Sequence, residues 1–164
     1  MPYGRITRVI FDPSKYDAMM TIAKSIDFSG WSGLRLLTVT RVAEDTVLVT
    51  AGYENKAAAD ANVENAKASL GKMAEFMTEE PFVREGEVVW GVDGDQSLTP
   101  GYMRHVFVDF DPAKYDAMIS YFDTTTERSR GVAGLIRVRL SRILENRMVT
   151  VGVYDNKASA VAGQ

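Results

Sequence analysis

The sequence predicts an α+β protein made of two tandem copies of one βαββαβ unit, the second of them incomplete. Residues 3–19 match residues 102–118 at 11 of 17 positions with a constant offset of 99, and the segment FDPSKYDAM returns as FDPAKYDAM. A second match, at an offset of 101, carries residues 53–57 onto residues 154–158. Two extra residues therefore lie in the second copy, between its first helix and its second strand.

The first strand and the first helix of each copy meet at the same Asp-Pro step. Residues 5–11 alternate between apolar and other side chains, which is typical of a strand. Asp12 is suited to cap a helix, and Pro13 to occupy its first position, where the missing N–H costs nothing. The apolar side chains that follow recur at helical spacing, so we expect a helix to about residue 27.

In the rest of the first copy the sequence pattern predicts a hairpin, a second helix and a last strand. The β-rich runs at residues 34–42 and 46–53 are separated by a three-residue turn. Apolar residues in alternating steps of three and four predict one helix from residue 55 to about 77, and residues 82–90 form the last strand. The predicted domains are residues 3–91 for the first repeat, 92–101 for a linker rich in Gly, Asp and Ser, and 102–164 for the second repeat.

This order of elements is that of the ferredoxin-like fold, an antiparallel sheet with both helices on one face. The opposite apolar face needs a cover, so we expect the two sheets to pack face to face within one chain. The chain would then be a pseudo-dimer, with a homodimer as the alternative. The second repeat lacks most of its second helix and its fourth strand, which leaves strand 103–110 with an open edge. We therefore expect that Gln164 is not a natural end, or that a neighbouring segment covers this edge.

Composition narrows the function classes. The net charge is -3 and the basic residues are scattered, which argues against a nucleic-acid partner. No signal peptide or membrane span is evident, so we expect a cytoplasmic protein without a membrane partner. With no cysteine and a single histidine, thiol chemistry is excluded and a metal site is not expected.

The two copies differ on one sheet face, and this asymmetry predicts a site. Strand alternation assigns Val9 and Phe11, with their counterparts Val108 and Phe110, to the helix side. The opposite face is mostly apolar in the first copy, but in the second it carries His105, Asp109, Arg137 and Arg139. The predicted ligand contacts are Arg8, Arg137, Arg139, Leu36, Thr38 and Phe107. The alternative is that these charges form ion pairs in water and bind nothing.

His105 and Asp109 are the predicted catalytic residues. His105 would act as a general base, and Asp109 on the same face would fix its tautomer. A lone histidine on a strand can equally be an ordinary structural residue. The ligand we expect is a small acidic or phenolic aromatic molecule, held by the arginines against the apolar wall.

Four aromatic residues and the third strand leave alternatives open. Trp31, Trp90, Tyr53 and Tyr154 could line a pocket for a flat aromatic substrate or simply pack in the core. The third strand matches its copy better at an offset of 100, which predicts a one-residue bulge near Val153 and leaves its two faces unassigned.

The element order, the Tyr-[Glu/Asp]-Asn-Lys-Ala helix start in both copies and the segment Gly86-Glu87-Val88-Val89-Trp90 resemble the dimeric α+β barrel superfamily, specifically antibiotic-biosynthesis-monooxygenase-like (ABM-like) domains. The resemblance implies oxidation of aromatic or polyketide-like substrates by molecular oxygen without a cofactor, in a pocket that stabilises a substrate carbanion. Haem-degrading relatives hold iron through a histidine on a helix, whereas His105 is on a strand. The alternative function is a non-catalytic small-molecule-binding or stress-response domain of the same fold.

Overall fold

The computed structural model describes residues 1–163 and confirms an α+β fold. That range contains seven strands, six α-helices and three short 3-10 helices. The chain divides into two compact units. The first unit is Met1–Glu85, and the second unit begins at Gly86. The expectation about Gln164 concerns a residue outside the described range.

The first unit contains a three-stranded antiparallel arrangement in the order β2, β3, β1. Its elements are β1 (Tyr3–Ile10), α1 (Tyr16–Lys24), β2 (Leu34–Ala43), β3 (Thr46–Tyr53), α2 (Lys56–Ala61), α3 (Val63–Gly71) and the first residues of β4 (Phe82–Asp93). Strand β1 pairs with β3 without interruption from Tyr3 opposite Tyr53 to Ile10 opposite Thr46. This is the predicted ferredoxin-like order of elements.

The second unit repeats this arrangement and adds the larger part of β4. Its further elements are β5 (Tyr102–Asp109), α4 (Tyr115–Thr124), α5 (Thr126–Arg130), β6 (Leu135–Leu144), β7 (Arg147–Tyr154) and α6 (Lys157–Ala162). Strand β7 pairs with β5 and β6, and β4 pairs with β6 from Glu87 opposite Arg142 to Asp93 opposite Arg137. Strand β4 thus runs three residues beyond the predicted end at residue 90.

The bulge expected near Val153 is wrong. Strands β5 and β7 pair continuously from Tyr102 opposite Tyr154 to Asp109 opposite Arg147. The register shifts lie instead on β6, between Leu135 and Arg137 and between Arg142 and Leu144. Strand β2 has register shifts at the two equivalent places. Because both copies place their irregularities on the second strand, β3 and β7 correspond at one offset of 101.

The long helix predicted from residue 55 to 77 is also wrong, because the structure breaks it at Asn62. This side chain is 2% exposed, and its Nδ2 donates to the carbonyl oxygens of Ser32 and Ala58, both at 2.9 Å. These two hydrogen bonds satisfy the buried amide and so stabilise the break between α2 and α3. The apolar periodicity continues across the break, so the sequence pattern did not indicate it.

The repeated Asp-Pro step is confirmed as a cap. The Asp12 carboxylate accepts from the Ser14 N–H at 2.9 Å, and that of Asp111 accepts from the Ala113 N–H at 3.1 Å. In each copy the proline opens a short 3-10 turn, and the α-helix begins at the tyrosine that follows the turn. The cap therefore sets the direction in which the first helix leaves the sheet.

The core of the first unit lies between the sheet and the helices. Val9, Phe11, Met19 and Val47 are each at most 2% exposed and form one cluster with Met73. The predicted helix-side position of Val9 and Phe11 is therefore confirmed. The counterpart of Val9 in the second unit, Val108, is 41% exposed.

Candidate functional site

The first unit contains a cleft of about 230 Å³ between the helix side of its sheet and helices α1 and α3. Ile26, Leu37, Val49 and Leu70 give it apolar walls. Such a lining favours a hydrophobic ligand, because apolar surface gains free energy when it leaves water. We call this space the first cleft.

Aromatic side chains form one side of the first cleft. Phe28 and Trp31 meet edge to face with ring centroids 5.1 Å apart, and both line the cleft together with Tyr53. The Trp31 N–H donates to the Phe28 carbonyl oxygen at 3.0 Å, which fixes the loop that carries both rings. Trp31 and Tyr53 therefore line a pocket, as one of the two sequence interpretations proposed.

A partly buried ion pair lies at the polar end of the first cleft. Arg5 is 7% exposed, and its Nε donates to Glu85 Oε2 at 2.6 Å. Its Nη1 donates to the Ala59 carbonyl oxygen at 3.2 Å. A buried guanidinium needs such partners because desolvation of an unpaired charge is costly.

The Tyr53 hydroxyl lies beside this ion pair. Tyr53 is 2% exposed, its ring lies 5.7 Å from the Arg5 guanidinium carbon, and its buried oxygen has no hydrogen bond of normal geometry among the described residues. Burial raises the pKa of Tyr53, an effect that the charge of Arg5 and the approach of its N–H groups to the hydroxyl oppose. The phenol is therefore protonated at neutral pH and has a hydrogen bond to offer to a ligand.

The second unit has a cleft of about 190 Å³ at the corresponding place, which we call the second cleft. The rings of Trp90 and Phe122 have centroids 5.3 Å apart on one wall, and Trp90 Nε1 donates to Thr126 Oγ1 at 3.3 Å. Arg104 and Tyr154 line this cleft as the counterparts of Arg5 and Tyr53. The two repeats thus place the same arginine and tyrosine in equivalent clefts.

The residues predicted from the sequence lie mainly on other surfaces. Arg139 Nη2 and Arg137 Nε approach the same Asp93 oxygen at 2.6 and 3.3 Å, so the structure brings these two arginines together. Partial burial acts to raise the pKa of Asp93, but the hydrogen bonds and charges of the two arginines together outweigh it and lower the pKa. This cluster is an ion-pair network on paired strands β4 and β6.

His105 and Asp109 are not brought together. They are four residues apart on β5, a Cα separation of about 13 Å in a strand, and both Asp109 oxygens accept from Arg147, at 2.5 and 2.8 Å. Burial lowers the pKa of His105 to about 4. A general-base role for His105 and an orienting role for Asp109 stay predictions.

The remaining predicted contacts are spread over the two units. The Arg8 guanidinium carbon lies 5.4 Å from the Phe82 ring centroid, and one of its nitrogens is 4.0 Å from Glu79. Leu36 and Thr38 lie on β2, where Thr38 borders the first cleft, and Phe107 is 48% exposed. The Arg5–Glu85 pair was missed, although the repeat of Arg5 as Arg104 at the offset of 99 was a signal for it.

None of the helices in residues 1–163 is long and apolar enough to cross a membrane. Within the same range, no three His, Asp or Glu side chains cluster in a way that could hold a metal ion.

Comparison with solved structures identifies the fold. The chain is similar to a proposed monooxygenase from Lactobacillus acidophilus NCFM, with a TM-score of 0.77 and 14% identity over 99% of this chain and 80% of that one. A proposed monooxygenase from Fusobacterium nucleatum gives a TM-score of 0.79 and 13% identity over 99% of this chain and 79% of that one. An anthrone oxidase-like protein gives a TM-score of 0.62 and 17% identity over 98% of this chain and 76% of that one.

The chain therefore has the fold of these two proposed monooxygenases, in agreement with the fold that the sequence resemblance implied. No protein-family model matches it. No curated protein matches it in sequence either.

Proposed function

We propose that the first cleft binds a flat aromatic or polyketide-like substrate and promotes its oxidation by molecular oxygen without a cofactor. One observation carries the proposal: Tyr53, whose buried and protonated hydroxyl has no hydrogen bond of normal geometry among the described residues, lines an apolar cleft beside the Arg5–Glu85 pair. The fold shared with proposed monooxygenases supports it.

The shape and polarity of the cleft favour a planar ring system. Phe28 and Trp31 offer ring surfaces for stacking, and the aliphatic walls exclude water from both faces of a ligand. A substrate oxygen would be placed at the polar end, because the donors of Arg5 and Tyr53 there offset the desolvation of that oxygen. Tyr53 would donate a hydrogen bond to this oxygen, and the nearby positive charge of Arg5 would attract it.

Anthrone is a suitable probe of this chemistry, since one structural neighbour is described as anthrone oxidase-like. Its CH₂ group lies opposite its ketone, so transfer of a CH₂ proton to solvent water gives an anion whose charge is largely on the ketone oxygen. The anion adds O₂, the resulting peroxide anion takes a proton back from solvent, and loss of water gives anthraquinone: one anthrone and one O₂ give one anthraquinone and one H₂O. A hydrogen bond from Tyr53 would stabilise the anion and so lower the barrier to its formation.

A second function, non-catalytic binding of the same class of molecule, is favoured by a specific feature of the lining. The titratable side chains among the described lining residues are Arg5, Lys24 and Tyr53, and none of them is a carboxylate or an imidazole that could take the proton. The cleft would then hold an aromatic ligand without changing it.

Oxygen uptake with anthrone separates the two functions. We expect one O₂ consumed per anthraquinone formed, and a fall in kcat of about 10- to 100-fold in Tyr53→Phe from the loss of one donor to the anion. The matched control is Tyr154→Phe, at the equivalent position of the second cleft. Saturable binding without oxygen uptake would support the non-catalytic function. Absence of both binding and uptake, or equal rates in the two variants, would overturn the proposal.

A further inference from the structure

Thr7 brings a hydroxyl to the sheet side of the first cleft. It lies on β1 between Arg5 and Val9, on the helix side of the sheet, and it lines the cleft. Thr7 is 6% exposed, and its hydroxyl forms no hydrogen bond with another of residues 1–163. Because a hydroxyl that leaves water without a partner lowers stability, packing alone would favour a valine of the same shape at this position.

The two repeats each place one hydroxyl at this point of the sheet, but on different strands. Thr7 lies opposite Val49 in the first unit, and the equivalent pair in the second unit is Val106 opposite Thr150. Each pair therefore contains one threonine and one valine, with the hydroxyl on β1 in the first unit and on β7 in the second. Since Val106 occupies the position equivalent to Thr7, the fold itself accepts a valine there.

Thr7 and Tyr53 supply the first cleft with two separate hydroxyls. Tyr53 lies opposite Tyr3 and Thr7 lies opposite Val49, so their backbone positions are four residues apart, about 13 Å along the sheet. The ring of Tyr53 lies beside the Arg5 guanidinium, whereas Thr7 is two residues further along β1. A ligand that bonds both hydroxyls therefore needs oxygen atoms at two places on its ring system.

We propose that Thr7 makes the first cleft selective for a flat ligand with two oxygens on opposite sides of a ring, as in a para-quinone or its hydroquinone. This inference rests on the proposed function, which places one ligand oxygen at Tyr53. The second oxygen would accept a hydrogen bond from the Thr7 hydroxyl, or, in a hydroquinone, would donate one to it. The apolar walls of the cleft would cover the ring between the two oxygens.

The oxidation proposed for this cleft produces such a pair of oxygens. The anthrone carbon that adds O₂ lies opposite the ketone, so a ketone held by Tyr53 directs that carbon away from the polar end, towards the part of the cleft that contains Thr7. Thr7 would then bond the oxygen that the reaction adds. A non-catalytic cleft would show the same preference for two oxygens, so selectivity and oxidation can be tested separately.

Titration of the full chain under argon with 1-naphthol, which has one oxygen, and with 1,4-dihydroxynaphthalene, which has two, measures the preference without oxidation. The reporter is the ¹⁹F signal of 5-fluorotryptophan at Trp31 in the first cleft, assigned with Trp90→Phe because the chain has two tryptophans. We expect the two-oxygen ligand to bind about 3- to 10-fold more tightly, and Thr7→Val to remove this preference by weakening that ligand alone. Tyr53→Phe should weaken both ligands, since each places an oxygen there.

Two further variants complete the test. Thr7→Ser keeps the hydroxyl and should keep the preference, and it remains informative if Thr7→Val fails to fold. Thr150→Val, the matched control, removes the hydroxyl of the equivalent pair and should leave the titration at Trp31 unchanged.

Three results would overturn the proposal: equal affinity of the unmodified chain for the two ligands, binding of neither, or an equal loss of both in Thr7→Val. Oxygen uptake with anthrone decides the oxidation independently. Uptake without a two-oxygen preference would overturn the role of Thr7 alone, whereas the preference without uptake would support it and contradict the oxidation.

Discussion

Arg5 Nε donates to Glu85 Oε2 across 2.6 Å and so fastens β1 to the beginning of β4 within the first unit. The Arg5 side chain is 8% exposed and that of Glu85 is 33% exposed. A charge as buried as that of Arg5 loses much of its hydration, so its one carboxylate partner matters for stability.

We predict that Glu85→Gln lowers the free energy of unfolding by about 1–3 kcal/mol, since the buried guanidinium loses its counter-charge but keeps a hydrogen-bond acceptor. The measurement is urea denaturation followed by circular dichroism. The matched control is Glu79→Gln, because the Arg8–Glu79 pair is 4.0 Å long and largely exposed. Its change should stay within about 0.5 kcal/mol. Equal effects of the two substitutions would contradict the prediction.

Tyr53→Phe should leave stability unchanged or slightly raised. The Tyr53 hydroxyl is buried without a hydrogen-bond partner in the described residues, so removing it removes a desolvation cost and no bond. Thermal unfolding should therefore give the same midpoint within a few degrees, while ligand binding or turnover in the first cleft falls. A large loss of stability would show that the hydroxyl has a structural role in the unliganded protein.

The sequence predicted the fold well because its signals are local and repeated. The Asp12 and Asp111 caps, the strand alternation around Val9 and the duplicated segments each depend on a few neighbouring residues. The break at Asn62 could not be predicted in this way, since it depends on a bond from the Asn62 amide to the Ser32 carbonyl oxygen, 30 residues away.

The candidate site was harder to predict for a related reason. His105 and Arg139 were predicted as site residues because they differ between the two copies. The first cleft depends instead on a residue that is the same in both copies, Arg5, and on a carboxylate that reaches it from a distant strand, that of Glu85. Charge pairing between distant strands has no local signature.

Gly33→Ala should destabilise the first unit by about 1–3 kcal/mol, from left-handed strain together with steric contact. Gly33 has a φ of 71°, and a Cβ added to it would lie 2.6 Å from the Cβ of Ala58. Gly134 has a φ of 75° at the equivalent position of the second unit. Gly30→Ala is the control, because a Cβ added at Gly30 would meet no other atom within 4 Å. The check is the urea midpoint, and a similar midpoint for both variants would show that the loop can relax.

His105 should make stability fall as the pH drops from about 6.5 towards 4. Its pKa is lowered by burial from 6.5 to about 4, so the unfolded chain takes up a proton in this range before the folded protein does. The stability that the neutral His105 contributes is fully present above pH 6.5. It is lost as the pH falls from the unfolded pKa of about 6.5 to the folded pKa of about 4. Because the imidazole is only partly buried and screened by solvent, we expect a loss of about 1–2 kcal/mol.

The carboxylates with lowered pKa values do not obscure this window. Asp93 and Asp109 both titrate below their ordinary value of 3.8, so the stability that they add is lost at lower pH. His105→Gln should therefore flatten the dependence of the unfolding free energy on pH between about 4 and 6.5 and leave the steeper loss below 4 unchanged. Urea unfolding at half-unit pH intervals measures both regions. If the variant kept the slope of the parent protein, the pKa of His105 would not be lowered in the folded state.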